Sequence, residues 1–442
     1  MASLFAALTV AVGGLAAQSS ALGNISDNLS NSQTIGFKSI DTSFQDLVTE
    51  SSSSVNDPGG VIAKPQYENN VQGNLVQSSI PTSLAIQGNG FFGVTTATSG
   101  GNTLFTRQGD FTVDKNGFLV NSSGYFLTGY AADPVTGALN TSAVAPIQIS
   151  STANNPVPTS TANYVANLPS SATTPYTSPT STIQIFDSLG NTHNMSFSWV
   201  KSTSAANAWT LNLTVSGGGT PTGGGAATDL TEAIPFTFNG TTNIGTIAGI
   251  TAANGATYTV PNSTTGTAAN VVFSGANALN FTTFGAGSQP LTLNFGTFGA
   301  SNGLTQFADT TTTVTSFTQN GLPRGSFTNL SIDNLGNVSL NYSNGSLKTI
   351  GQIPLVSFNS PDSLQRVSGD AFEATLASGT ANTNIAGVAG NGTIVGGSLE
   401  SSNVDIATQF TNMIQAQQVY SANAKTITTV DQMLNTVINT IQ

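Results

Sequence analysis

Cysteine is absent from all 442 residues. Disulfide bridges, thiol nucleophiles and thiolate metal sites are therefore excluded together. Outside a cell, such a chain must be held by its own core or by its neighbours. Charge is nearly as scarce. Only 7% of residues are Asp, Glu, Lys or Arg, against roughly 25% in an ordinary soluble domain. Nine Lys and Arg face 20 Asp and Glu, a formal net charge of -11. Nucleic acid and anionic membrane surfaces both require clustered cations, so neither is an expected partner. Histidine occurs once, at His193, which excludes His–His metal motifs. A Ser–His–Asp triad would have to use it, yet no Gly-x-Ser-x-Gly elbow occurs. His193 follows a turn in "GNTH" and reads as a solvated strand residue. The acids are scattered, with no aromatic-rich groove beside them, so carboxylate-pair hydrolysis has no sequence support beyond their number.

What is present is an apolar fraction of 38%, enough for real cores. The length suggests about three domains. No charged residue precedes Asp27. A secretory leader would carry positive charge at its start, and here the first Lys is Lys38. The apolar stretch reads as too short and too interrupted by Ser and Gln for a membrane span of about 20 residues. Its apolar positions are Leu4, Leu8, Ala11, Leu15, Leu22, Ile25 and Leu29, with Gln18 filling the gap. Steps of four and three alternate, the pattern of a helix packed lengthwise on another helix. Gly13 and Gly14 lie inside it, each costing about 1 kcal/mol relative to Ala. Such a helix is marginal alone and is expected to order only on partners.

The other end repeats the pattern through Ile406, Phe410, Met413, Gln417, Tyr420, Ala424, Ile427, Asp431, Leu434, Ile438 and Ile441. Asp405 or Ser402 is placed to accept the orphan N–H groups at its start. A helix over 404–440 would be about 55 Å long and needs a long partner. The two ends either pair within one chain or bundle with those of other copies.

Between them, from about 40 to 400, the pattern has period two with turn punctuation, the mark of half-buried strands. "FTVDKNGFLV" predicts a hairpin turning at Asn116-Gly117 with φ > 0 at both. "STIQIFDSLGNTHNMSFSWV" places Ile183, Ile185, Met195, Phe197 and Trp199 inward about a turn at 188–191. "AWTLNLTV" and "LSIDNLGNVSLNY" continue the theme. "SGGGTPTGGGAAT" at 216–228 lacks the Gly-Lys-Ser/Thr of a phosphate loop and reads as a flexible loop. A composition shift over 217–310 reads as an elaborated β domain inserted into another.

Particular motifs carry a family resemblance. "DNLSNSQTIGFKS", with Asn28, Asn31, Thr34, Gly36, Phe37 and Lys38, resembles the signature of bacterial flagellar rod and hook proteins. "LESSNVDIATQFTNMIQAQQVY", with Asn403, Val404 and Asp405, is similar to the family's C-terminal helix and its lead-in. "LAIQGNGFFGV" and "LFTRQGDFTVDKNGFLVNSSGYFLTGY" resemble its first β domain; "FDSLGNTH" and "GQIPLVSF" resemble its hook members in particular. Where the family often has Asn-Asn-Ile-Ala-Asn, this chain has Asp27-Asn28-Leu29-Ser30-Asn31. The resemblance covers about 1–200 and 315–442.

It implies a multidomain α+β fold. The terminal helices, 1–33 and 403–442, would pair in a coiled-coil-like axial domain. Segments 34–77 and 370–402 would connect it to a first β domain of 78–155 and 315–369, into which a second, 156–314, is inserted. The implied function is structural, a self-assembling curved tube that acts as a universal joint, without catalytic, cofactor or metal residues. Assembly would rest on Leu4, Leu8, Leu15, Leu22, Ile25, Leu29, Phe410, Met413, Tyr420, Ile427, Leu434 and Ile438. Implied partners are other copies, the distal rod protein, the hook cap protein, the hook–filament junction protein and the flagellar export apparatus. The chain would act outside the cell, exported without a cleaved leader and without membrane insertion. The alternatives are a distal rod or other axial protein, and a secreted β-rich adhesin or surface-layer protein.

Overall fold

The computed structural model describes residues 2–51, 56–133, 137–149, 154–219, 228–253 and 256–441. The chain forms two compact units. The first comprises Met1–Ser151, Asn329–Asn341 and Leu347–Gln442; the second comprises Thr152–Thr328 and Tyr342–Ser346.

In the first unit, α1 (Ala2–Ser30) and α2 (Ile406–Ile441) are the two α-helices among the described residues. Strands β1 (Ile40–Ser51) and β2 (Asn56–Tyr67) form an antiparallel hairpin beside α1. The deeply buried face of α1 is Ala11, Gly14, Ala17, Ala21, Ile25 and Asn28, a mostly small-residue face. A Cβ on Gly14 would lie 2.7 Å from the Asn423 Nδ2, so a side chain there would have to displace Asn423 of α2. Leu8, Leu15, Leu22 and Leu29 sit at the rim, only partly buried. Side chains of Leu4 and of residues 48–50 lie outside those described. The span 6–30 of α1, with an 18-residue window of mean hydropathy 1.3, is long and apolar enough to cross a membrane by length and composition. This corrects the reading of the stretch as too short, because the interrupting Ser and Gln do not break the helix.

The rest of the first unit is β structure around Phe91–Thr95, which pairs with Thr103–Thr106, Phe126–Ala131 and Pro354–Ser357. Phe91, Phe105, Phe358 and Phe372 pack edge to face, with Phe105 and Phe358 centroids 4.8 Å apart.

The second unit has a five-stranded antiparallel sheet of Ser181–Phe186, Thr192–Lys201, Ala208–Gly219, Thr228–Phe238 and Ile247–Ile250. A four-stranded sheet runs in the order Ala268–Phe273, Leu291–Thr297, Thr161–Asn167, Thr313–Gln319. Trp199, Trp209, Tyr164, Phe197, Phe236 and Phe295 fill one core between them. Segment 217–310 therefore completes sheets begun by 161–219 and has no separate core, which corrects its reading as a further inserted body. Gly217, Gly218 and Gly219 extend a strand; the remainder of that Gly-rich stretch, 220–227, falls outside the described residues.

Three hairpins share one turn. Asp114, Asp187 and Asp333 each accept two backbone N–H bonds from positions i+2 and i+4, at 2.7–3.0 Å. A glycine follows at φ 87, 84 and 83 degrees, at Gly117, Gly190 and Gly336. The expected double-positive turn at 116–117 is thus replaced. Only Gly117 takes positive φ, because the Asp114 carboxylate organises a longer loop.

His193 is 3% exposed, which corrects its reading as a solvated residue. It shares the inward phase of Met195, Phe197 and Trp199 and stacks on Phe281 at 4.0 Å. Its Nε2 lies 3.2 Å from Asp187 Oδ2 and its Nδ1 3.0 Å from the Ser216 carbonyl. Burial alone would raise the Asp187 carboxyl. Hydrogen bonds from Asn191, His193 and Leu189 outweigh it and hold that carboxyl below its usual range.

Candidate functional site at the root of the terminal helices

Both helices meet the β structure of the first unit at one root, and the signature residues build it. Asn28, in the last turn of α1, is 1% exposed. Its Oδ1 accepts from the Ile40 N–H at 2.9 Å and its Nδ2 donates to the Ile40 carbonyl at 2.8 Å. It thereby mimics a strand partner for the first residue of β1. The same Nδ2 lies 3.4 Å from Gln409 Oε1 on α2. Asn31 ends α1 by donating to the Asp27 carbonyl and carboxylate, both at 2.9 Å, and it accepts from Thr34 Oγ1 at 3.2 Å. Such local side-chain bonds compete with helix continuation. Gly36 turns the chain at φ 72 degrees. Its N–H donates to the Glu400 carbonyl at 2.8 Å. A Cβ there would fall 2.6 Å from the backbone of Arg107 and Gln108, so two independent constraints demand glycine.

Phe37 is fully buried, and the Arg366 guanidinium lies 4.3 Å from its ring centroid. Arg366 also donates to Asp27 at 3.2 Å and to Asp370 at 2.7 Å. It thus ties the end of α1 to the β structure. Beneath lies a buried ionic triad. Lys38 Nζ donates to Glu400 Oε1 at 2.6 Å, and Arg107 Nη1 donates to Glu400 Oε2 at 3.0 Å. Glu400 Oε1 also accepts the Gly73 N–H at 2.9 Å. Lys38 reaches the Val71 carbonyl at 2.6 Å and Arg107 the Gly88 carbonyl at 2.8 Å. Side chains of all three ions are at most 2% exposed.

Two cations share one carboxylate, so the triad carries a net charge of +1. Burial lowers the Lys38 ammonium to about 8; Glu400 opposes the shift and Arg107 adds to it. Burial likewise lowers Arg107, again opposed by Glu400.

On the C-terminal side, Asn403 Oδ1 accepts the Ser39 N–H at 2.7 Å, and its Nδ2 faces the Glu68 and Val71 carbonyls. The Val404 N–H donates to Ser402 Oγ at 3.3 Å. Asp405 caps α2, accepting from Ala407 and Thr408 at 2.8 and 3.2 Å.

The helix shafts differ from this root. Of the sequence-predicted assembly residues, Ile25 is buried, while Leu8, Leu15, Leu22, Leu29, Met413, Ile427 and Leu434 are partly buried. Phe410, Tyr420 and Ile438 are exposed. Ile406, Ile414, Val419 and Met433 are exposed too; of these, Ile414, Val419 and Met433 lie off the heptad seam. The signal for those three was simply an apolar residue off the seam. The root is where sequence reasoning missed most. Arg107 and Arg366 were not singled out, and Glu400, although inside a quoted motif, was given no role.

Three family models match: flagellar hook protein FlgE/F/G D1 domain over 85–161, flagellar basal body protein FlaE D2 domain over 150–322, and flagellar basal body rod FlgEFG protein C-terminal over 395–440. The middle match spans the 217–310 segment that no sequence resemblance had covered. Among curated relatives, the flagellar hook protein FlgE of Brucella abortus is 31% identical, over 99% of both chains. That of Treponema pallidum is 33% identical over 94% of this chain and 95% of the relative, and that of Salmonella typhimurium 32% over 97% and 98%. A solved Helicobacter pylori flagellar hook protein FlgE2 matches with 13% identity and a TM-score of 0.47, over 72% of this chain and 98% of that one. With full-length relatives above 30% identity and family models along its β units and C-terminal helix, the chain belongs to the flagellar hook protein family.

Proposed function

We propose that the chain builds the flagellar hook through its two helix shafts, with the root holding those shafts at a fixed take-off from the β structure. The observation that carries this reading is the contrast within α2. Its start is capped and anchored, while Phe410, Ile414, Tyr420, Met433 and Ile438 remain exposed along its length. Burying a large apolar side chain contributes about 1.5–3 kcal/mol, so five exposed ones, three on the heptad seam and two beside it, are a strong drive to associate. In this reading the paired terminal helices form a coiled-coil-like inner tube. Segments 34–77 and 370–402 connect it outward to a β domain of 78–155 and 315–369, with 156–314 inserted in it. The assembled tube is curved and works as a universal joint, passing torque from rod to filament.

The partners in this reading are other copies first. The distal rod protein, the hook cap protein, the hook–filament junction protein and the export apparatus meet the chain at the tube's ends or on the way out. Export needs no cleaved leader. The retained α1, uncharged before Asp27, is itself part of the tube and does not stay in a membrane.

The test is electron microscopy of the full chain under salting-out conditions, beside a Phe410→Ser/Ile438→Ser variant. Tubes from the first and none from the second, with both equally folded by circular dichroism, support the reading. Equal tube formation by both overturns it.

A further inference from the structure

The strand Asn382–Ile385 lies at an edge. It pairs with Pro354–Ser357 on one side, in unbroken register, and has no strand partner on the other among the described residues. Edge strands present unpaired N–H and C=O groups, and proteins ordinarily guard them with lysine, proline or a bulge. Strand β2, for comparison, carries Pro58, Lys64 and Pro65, and its pairing with β1 is bulged. The 382–385 edge has none of these, and its only guard is its four-residue length. No Asp, Glu, Lys, Arg or Pro occurs anywhere from Ala374 to Leu399.

The turns at either end of this strand are held firmly and present aliphatic side chains. Before it, Thr375 and Ser378 bond reciprocally. The Thr375 N–H donates to Ser378 Oγ at 3.0 Å, and the Ser378 N–H donates to Thr375 Oγ1 at 3.1 Å. Thr375 Oγ1 also donates to the Ser363 carbonyl at 2.7 Å. Between them stands Leu376, 105% exposed, more open than in an extended peptide. After the strand, the turn holding Val388 is closed by the Gly387 N–H to the Gly392 carbonyl at 2.8 Å, and Asn391 pins it to the Leu355 carbonyl at 3.0 Å. Val388 is exposed as well. A lone exposed leucine needs no explanation. A leucine held out on a rigid turn is different: it can be buried with little further ordering, the property of an interface anchor.

We propose that the Asn382–Ile385 edge, with Leu376 and Val388 on its flanking turns, is a contact surface for a second copy of this chain. The proposal rests on the assembly reading above. The assembly reading supplies the occupant, and charge favours this surface for it. Each copy carries -11, so two copies repel wherever acidic surfaces face each other. They approach most easily across a surface that is uncharged, apolar at its tips and open for backbone pairing.

The chain's lack of cysteine allows a direct test. A Leu376→Cys variant of the full chain is reacted with a maleimide, as monomer and as polymer, with polymer verified by electron microscopy. The expected result is rapid labelling of the monomer and at least tenfold slower labelling in the polymer. In parallel, Thr383→Lys should raise the concentration needed for polymerisation at least tenfold, with the monomer's melting temperature unchanged. Equal labelling in verified polymer overturns the proposal and leaves the assembly reading standing. A chain that forms no polymer overturns both.

Discussion

The root of the helices and their shafts are made of the same chain and solve opposite problems. At the root, Asn28, Asn403 and Glu400 have backbone or ionic partners within the one chain, and Phe37 lies under a guanidinium. Along the shafts, α1 spends its small residues on close contact within the chain and leaves its leucines at the rim, while α2 keeps Phe410, Ile414 and Ile438 in water. The root is complete in a single molecule, whereas in the proposed reading the shafts are completed by other copies. A subunit that must arrive separately and then lock into a tube needs both: a fixed origin for the helices and apolar faces reserved for neighbours.

That contrast can be broken first at Glu400. Glu400→Gln keeps the shape but leaves Lys38 and Arg107 buried without a carboxylate. Breaking a buried ion pair from one side costs about 3–5 kcal/mol, and denaturant unfolding of the first unit should show a loss of this size. Loss below about 1 kcal/mol would mean that water reaches the triad.

Gly36→Ala should come next. It places a methyl group against the Arg107–Gln108 backbone in a left-handed conformation, with a cost of about 2 kcal/mol or more. Denaturant unfolding would measure it, and a neutral substitution would show that the turn can relax.

The second unit supplies an independent comparison in pH. The Asp187 carboxyl is held below its unfolded value of 3.8. Its stabilisation is therefore present above about pH 4 and lost as pH falls through the folded value. Asp187→Asn should flatten the acid side of the thermal stability profile; an unchanged profile would remove Asp187 from the account. Lys38 at the root is shifted the same way, but there it is the neutral form that the fold favours. Its folded value of about 8 lies below the ordinary 10.5, so between these the folded state releases its proton first and this group's contribution to stability rises with pH. Comparison of wild type with Lys38→Met from pH 8 to 10.5 would reveal that slope.

The smallest effect on stability should come from the shafts. Phe410→Ser and Ile414→Ser touch exposed positions and should change monomer unfolding by no more than about 0.5 kcal/mol, while assembly fails. A large loss of monomer stability would mean that these side chains are already used within the chain.

The sequence made some of this legible. The signature residues Asn28 to Lys38 and the helix lead-in at Asn403 to Asp405 could be located, and the strand pairs around Asp187 and Asp333 followed from period and turn residues. What could not be read was the company those residues keep. Lys38 and Glu400 are 362 residues apart, and nothing local in either stretch points to Arg107. The heptad steps identified helices but not which face each helix spends internally, because Gly14 and the alanines set the contact by closeness rather than by hydrophobicity. His193 was legible and was misread: it stands two residues before Met195, in phase with the buried Phe197 and Trp199. The 217–310 segment was set apart by composition, yet composition does not report which sheet a strand joins.

The most direct test of the central claim is amide hydrogen exchange, read residue by residue, on the same chain as monomer and as polymer. The account predicts that the root amides of Gly36, Ser39 and Ile40 are protected equally in both. Amides along 410–438 of α2 should exchange faster in the monomer than in the polymer. Equal protection of α2 in the two states, or a root protected only in the polymer, would contradict the account.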